Sequence, residues 1–167
     1  ISFYGCKYSI DFLKGYYDNC VDISNKKFEL VDDLKLYVHE TGDIDTITID
    51  GDLILNNKLI IDDTVDIVYD AKEYLDTPWG DVYNEFLPTL KKYPIEDIID
   101  GFKFNSPFAI NVGILKFNNI KVKTVFIKKY KELKQYYLKS IEPIEKFKDN
   151  KTFISIIICQ FLFGSLI

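Results

Sequence analysis

The chain has 167 residues, of which 47% are hydrophobic, 16% aromatic and 28% charged, with eight glycines and five prolines, a composition that excludes disordered, collagen-like and linker-like classes. The net charge of −5 hides a split: residues 1 to 100 carry 22 acids against 9 lysines, and residues 101 to 167 carry 12 lysines against 4 acids. Such an asymmetry suits either a basic surface for an anionic partner or two parts of one fold that attract each other, and it names no reaction.

In chain order, the first forty residues read as helical. A weaker candidate runs from Ser9 to Tyr17 around Ile10, Phe12 and Leu13. A stronger one covers 29 to 40, where Leu30, Val31, Leu34, Tyr37 and Val38 repeat at helical spacing and Gly42 is placed to end the helix. From Thr46 the period changes to two. Ile47 and Ile49 alternate with Thr48, Asp50-Gly51 has the chemistry of a type I′ turn, and Leu53 to Leu55 would form the returning arm. Asn56-Asn57 predicts another turn before Leu59, Ile60 and Ile61, with Val65 to Tyr69 extending the meander.

Thr77-Pro78-Trp79-Gly80 predicts a helix start, with Trp79, Val82, Phe86 and Leu90 on one face and Pro88 kinking or ending it. A short helix is expected after Pro94, burying Ile95, Ile98 and Ile99 and stopping at Gly101. Phe108, Ile110, Val112 and Ile114 alternate, Asn118-Asn119 follows, and Ile120, Val122, Thr124 and Phe126 alternate again, which predicts a second hairpin with Lys121 and Lys123 on its other face. The best helix covers about 127 to 142. Tyr130, Leu133, Tyr137 and Ile141 share one stripe, Lys128, Lys131, Gln135 and Lys139 lie opposite, and Pro143 ends it. The expected architecture is a single α+β domain over 1–167: an N-terminal helix, a short antiparallel meander, a central helical pair, a second hairpin and C-terminal helices. Within it, 1–100 is acidic, 101–151 basic and 152–167 apolar.

All 21 basic residues are lysine, and arginine and methionine are both absent. The absence of guanidinium forks leaves only lysine point charges to meet phosphates or carboxylates. The codon bias behind such a composition points to an AT-rich genome, whether organellar, viral or bacterial. Ile1 at the start fits a trimmed or processed chain ahead of a non-AUG start. Cys6, Cys20 and Cys159 are odd in number and lack paired-ligand spacing, so reduced structural thiols in an intracellular compartment are expected, with an organelle such as the mitochondrion among the candidates. No run at the beginning reads as a signal peptide.

Candidate chemistry is sparse. Asp43-Ile44-Asp45 and Asp50-Gly51-Asp52 have the spacing that can hold a divalent ion on a sugar-nucleotide, and Asp50 and Asp52 are the better pair. The Asp-Gly dipeptide is explained as fully by its turn. A calcium loop centred on Gly51 fails, because Thr46, Thr48 and Asn57 stand where acids are needed. His39 could act as a base beside Glu40, Asp43 or Asp45, but a helix-end capping or surface role is more economical. There is no glycine-rich phosphate loop and no recognisable nucleophile setting, so no active site, resident metal or cofactor is nominated.

The basic third is the better lead. Between Lys116 and Lys151 there are 11 lysines against four acids, interleaved with Phe117, Phe126, Tyr130, Tyr136, Tyr137 and Phe147. Lysines 116, 121, 123, 128, 131 and 139 are the candidate partner-binding residues. Internal attraction to the acidic half is the first explanation of this charge, contact with RNA or another anionic partner the second, and a membrane surface the third. Residues 152 to 167 are mostly apolar and uncharged, too short for a confident membrane span, and are expected in the core ahead of an interface or an anchor. Three functions remain. The leading one is a non-catalytic subunit of a larger protein or ribonucleoprotein assembly, docked through the basic hairpin-helix unit and the apolar C-terminus. The second is an acidic inhibitory or immunity-type module, and the third a metal-dependent glycosyltransferase-like enzyme using Asp50 and Asp52.

Overall fold

The computed structural model describes residues 1–51, 58–74 and 108–141, together with Cys159 and Phe163. These residues form an α+β arrangement of three helices and two small sheets. The N-terminal part contains strand β1 (Ser2–Gly5), helix α1 (Lys7–Leu13) and strand β2 (Asn19–Asp22), with β1 and β2 paired in parallel. The forty-residue helical expectation is therefore corrected at both flanks of α1. Ser2-Phe3-Tyr4 and Asn19-Cys20-Val21 are short runs of strand-favouring side chains whose pairing is non-local, so no period within either run reveals it. Gly15, at φ 102°, turns the chain back after α1, a conformation that costs a residue with a Cβ far more than glycine. No residue of α1 is buried, and Tyr8, Phe12 and Tyr16 stand exposed.

Helix α2 (Asp33–Thr41) begins later than its periodicity predicts, and its buried stripe is rotated. Asp32, Asp33, Leu36 and His39 point inward together with the predicted Leu30 and Val38, whereas Val31 is exposed. Gly42 does end the helix, its amide donating to the Val38 carbonyl at 2.8 Å. Crowding is the reason: φ is −90°, and a Cβ there would stand 2.9 Å from the Val38 carbonyl oxygen.

The second sheet is antiparallel, with strand β5 (Phe108–Phe117) between β3 (Ile47–Ile49) and β4 (Ile67–Tyr74). The predicted partner of β3, Leu53 to Leu55, lies outside the described residues. The partner observed is β5, with Thr48 opposite Leu115, and the Asp50 amide donates to the Gly113 carbonyl at 2.8 Å. Leu59 to Ile61 form no strand and Ile60 is exposed, so the meander is corrected to one long arm, β4, paired with a strand far along the chain. The helices predicted across 77 to 101 lie outside the described residues.

The largest correction concerns the second hairpin. Its first arm is β5, but Asn118-Asn119 leads into helix α3 (Ile120–Ile141) and not into a returning strand. The Asn119 side-chain oxygen accepts from the amides of Lys121 (3.0 Å) and Val122 (3.3 Å), satisfying two of the donors a helix start leaves open. Alternation at 120, 122, 124 and 126 coexists with a helical repeat at 123, 126, 127 and 130, and burial selects the latter. Tertiary packing overrides the β-branched preference of the first turn.

The core lies between β5 and α3. Ile110, Val112, Ile114, Leu115 and Phe117 of the strand are buried with Phe126, Ile127 and Tyr130 of the helix. Cys159 and Phe163 are buried among them, as the apolar C-terminal pattern predicts for these two residues. An aromatic chain runs through this core: Phe117 meets Phe126 edge-on at 5.2 Å, Phe126 stacks on Phe163 at 5.6 Å, and Phe163 lies 5.4 Å from Tyr130.

Because Asn119 caps α3 and also donates to Asp66 at 3.0 Å, the N119A variant should lose about 1 kcal/mol of stability, read as a lower urea midpoint with unchanged m-value. A residue in a plain hairpin turn would show a much smaller loss.

Candidate functional site

The charged groups with the most specific geometry lie where the start of α2 meets α3. Asp33 is 8% exposed, and its carboxylate meets four donors. Oδ2 accepts from the amides of Glu29 (2.8 Å) and Leu30 (3.0 Å) and from Lys134 Nζ (2.9 Å), and Oδ1 accepts from the Tyr130 hydroxyl (3.3 Å). A carboxylate at a helix start is favoured by the dipole, and these donors replace the water it has lost. Lys134 also meets Glu29 at 2.9 Å. Burial works against the Lys134 charge, but Glu29 and Asp33 outweigh it and raise its pKa.

Asp32 is buried beside this pair, with Lys35 Nζ at 2.7 Å. Burial pushes the Asp32 carboxyl up, and Lys35 only partly opposes that. The same ammonium reaches Asp50 at 2.9 Å, beyond the end of β3. Cys159 Sγ stands 3.4 Å from the Tyr130 hydroxyl, and burial first, then the Asp32 charge, raises its pKa, which makes it an unreactive thiol. Burial likewise raises the Tyr130 hydroxyl well above its ordinary value.

Asp50 therefore has a fixed cation for a partner. Nearby, β4 and β5 slip register between Tyr69 and Ala71, and Gly113 lies in that irregular stretch. A Cβ at Gly113 would stand 3.1 Å from an Asp70 carboxylate oxygen, so the glycine makes room for acidic side chains over the sheet. Asp52 lies outside the described residues. Among the described residues, no group of three or more His, Cys, Asp or Glu side chains is arranged to hold a metal ion.

His39 is corrected from a helix-end capping or surface residue to a core residue. It is 1% exposed, its Nε2 lies 3.1 Å from Thr48 Oγ1, and its ring meets Phe117 edge-on at 5.1 Å. None of the neighbouring acids Glu40, Asp43 or Asp45 is its partner in these contacts. Burial, assisted by the Lys123 charge, lowers its pKa to about 4, so the imidazole is neutral at ordinary pH.

The six candidate lysines separate into groups. Lys116 pairs with Asp63 at 2.7 Å, and Lys131 with Glu40 at 2.5 Å. Lys123 is 5% exposed and its ammonium donates to the carbonyls of Gly42 (2.8 Å) and Asp43 (2.9 Å), just past the end of α2. These three bind the chain to itself. Lys121 is exposed, and Lys128 is exposed with Glu132 of the same helix 3.9 Å away. The Lys139 side chain lies outside the described residues.

On the outer flank of α3, Lys121, Val122, Val125, Phe126 and Lys129 line a shallow open depression of about 280 Å³. Val125 is 56% exposed there, and Ile120, elsewhere on the helix, is 55% exposed. Sequence reasoning missed Asp32, Asp33 and Lys35, because the apolar stripe chosen for 29–40 leaves them off the inner face, and Lys134, because the stripe chosen for 127–142 runs through Tyr130 and Leu133; the hairpin assigned to 108–126 hides the continuous stripe of Lys123, Tyr130 and Lys134. Once α3 starts at Ile120, that stripe reads directly from the sequence.

Comparison with protein-family models finds no match, and comparisons with curated proteins and with solved structures find none either.

Two outcomes follow from the buried charges. D33A should cost about 1–3 kcal/mol in chemical unfolding, because it leaves two amides without their acceptor, while the Lys134 ammonium keeps Glu29. For His39, the unfolded imidazole binds a proton near pH 6.5 and the folded one only near pH 4, so the unfolded state gains protons first as pH falls. Its contribution is complete above about pH 6.5 and is lost toward pH 4, about 3 kcal/mol in all. Because His39 is the sole histidine, the slope of unfolding free energy between pH 6.5 and 5 should flatten in H39Q.

Proposed function

We propose that this protein is a non-catalytic accessory subunit that docks onto another protein of a larger assembly through the outer flank of α3. The observation that carries this reading is the way α3 sorts its side chains. Lys123, Lys131 and Lys134 are spent on α2 and the segments beside it, whereas Ile120, Lys121, Val125 and Lys128 face outward. Exposed aliphatic carbon at Val125 between the exposed Lys121 and Lys128 is the composition of a protein-binding surface.

The alternatives draw less support. Of the aromatics that suggest RNA stacking, Phe117, Phe126 and Tyr130 are taken up by the core, at 1%, 4% and 1% exposure, and the side chains of Tyr136, Tyr137 and Phe147 lie outside the described residues. Cys159 and Phe163 are buried within the chain, which shifts the docking role from the apolar C-terminal segment toward α3. For a metal-dependent transferase, Asp50 is already paired with Lys35.

The test is a photo-crosslinking residue placed at Val125 in the full chain, expressed in its native cells, with the exposed Lys58 position as control. A discrete protein adduct at Val125 and none at Lys58 is expected. A Val125 probe that gives no adduct above the Lys58 background would overturn the reading.

A further inference from the structure

Strand β3 departs from the usual alternation of an edge strand. Along Ile47-Thr48-Ile49 the two isoleucines are exposed and the threonine is the half-buried residue, so the strand turns a hydroxyl inward where an apolar side chain is expected. Thr48 Oγ1 stands 3.1 Å from His39 Nε2 and 3.5 Å from the Leu115 carbonyl oxygen. We infer that β3 is an acid-released strand, and that protonation of His39 is what lets it leave β5.

Segments with few buried apolar contacts open locally, ahead of the whole fold. The side-chain anchor of β3 is the His39 imidazole, which is buried edge-on against Phe117. A charge on that ring would be stripped of water beside a second buried cation, because Lys123 Nζ donates to the carbonyls of Gly42 and Asp43, one turn beyond His39. Burial first, and then the Lys123 charge, lower the imidazole pKa to about 4. Lifting Thr48 off the ring opens it to the water that the charged form needs.

The other charged groups at this corner act elsewhere. Glu40 of α2 meets Lys131 of α3, and Asp43 Oδ1 accepts from the Asp45 amide (3.0 Å) and the Thr46 hydroxyl (3.3 Å). On β5, Lys116 turns to Asp63, and past the end of β3 Asp50 is held by Lys35. Strand β3 itself brings no titratable side chain. Among these groups only His39 touches a side chain of β3, while Asp33 and Lys134 pin the start of α2. The opening therefore involves β3 and the turn before it and leaves the first turn of α2 in place.

The open form takes up its proton near pH 6.5 and the closed form near pH 4, so the open fraction rises as pH falls between those values. Together the two values give a rise of about twentyfold between about pH 7 and pH 5.

The experiment follows backbone hydrogen exchange of the intact chain across that range, corrected for the intrinsic exchange rate. Protection of amides 47–50 should fall about twentyfold, and that of amides 34–37 in α2 by less than about twofold. In H39Q, whose side chain stays neutral, the fall at 47–50 should shrink to less than about twofold. His39 is the sole histidine, so its ring resonance can be titrated in the wild type without ambiguity, and a midpoint below about pH 5 is expected. Flat protection at 47–50, an equal loss at 34–37, an undiminished fall in H39Q, or a ring midpoint near 6.5 would each overturn the inference. If H39Q does not fold, the ring midpoint and the contrast between the two stretches in the wild type decide it.

Discussion

The arrangement of the described core depends on one carboxylate, that of Asp33, being satisfied away from water. It accepts from two amides of its own segment, from Lys134 and from Tyr130, so the entry to α2, the middle of α3 and the burial of the tyrosine are mutually conditional. A buried ion pair contributes little net stability compared with apolar residues of the same shape. Leaving either member alone is what costs heavily. The pair therefore acts by making other registers of α2 against α3 expensive, because each would strand a charge in the interior. Lys123, at the other end of the contact, applies the same restriction by meeting two carbonyls just past α2. Two lysines on one helix thus fix the neighbouring helix at both ends.

The sequence-level charge split takes on a physical meaning in this frame. The basic third contributes Lys116, Lys131 and Lys134 to Asp63, Glu40, Glu29 and Asp33, all in the acidic part of the chain. These pairs differ in weight. Lys131 and Glu40 are about half exposed, so their attraction is screened and small, whereas Asp33 is buried and Lys134 mostly covered. Opposite charges on distant segments help those segments find one another, and burial at one place decides the final fit.

How much of this was legible depended on whether a period belonged to one element or two. The α+β character, the strand from Phe108, the existence of α2 and the end of that helix at Gly42 follow from local pattern. The pairing of β3 and β4 with β5 does not, because the partner strand lies far along the chain and alternation is silent about which strand pairs with which. At 120 to 126 both periods are present at once, and Asn118-Asn119 serves a turn or a helix start equally well. Only the depth of the interior, with Phe126, Ile127 and Tyr130 needed on the same side, decides for the helix. His39 was misjudged for a related reason. A histidine near a helix end beside acids resembles a cap, and what places it in the core is Phe117, from a strand that local reading cannot bring to it.

Helix α3 also inverts the usual arrangement of an amphipathic helix in both directions. Its inner stripe includes two lysines, and its outer side includes Ile120 and Val125. The inner exception is explained completely by the carbonyls and carboxylates those lysines meet. The outer exception has no equivalent among the described residues, where exposed β-branched side chains lower helix propensity and return nothing through packing. When a sequence breaks local rules, the break is expected where another requirement is being met. For Lys123 and Lys134 that requirement is internal, and for the flank around Val125 it lies beyond the described residues.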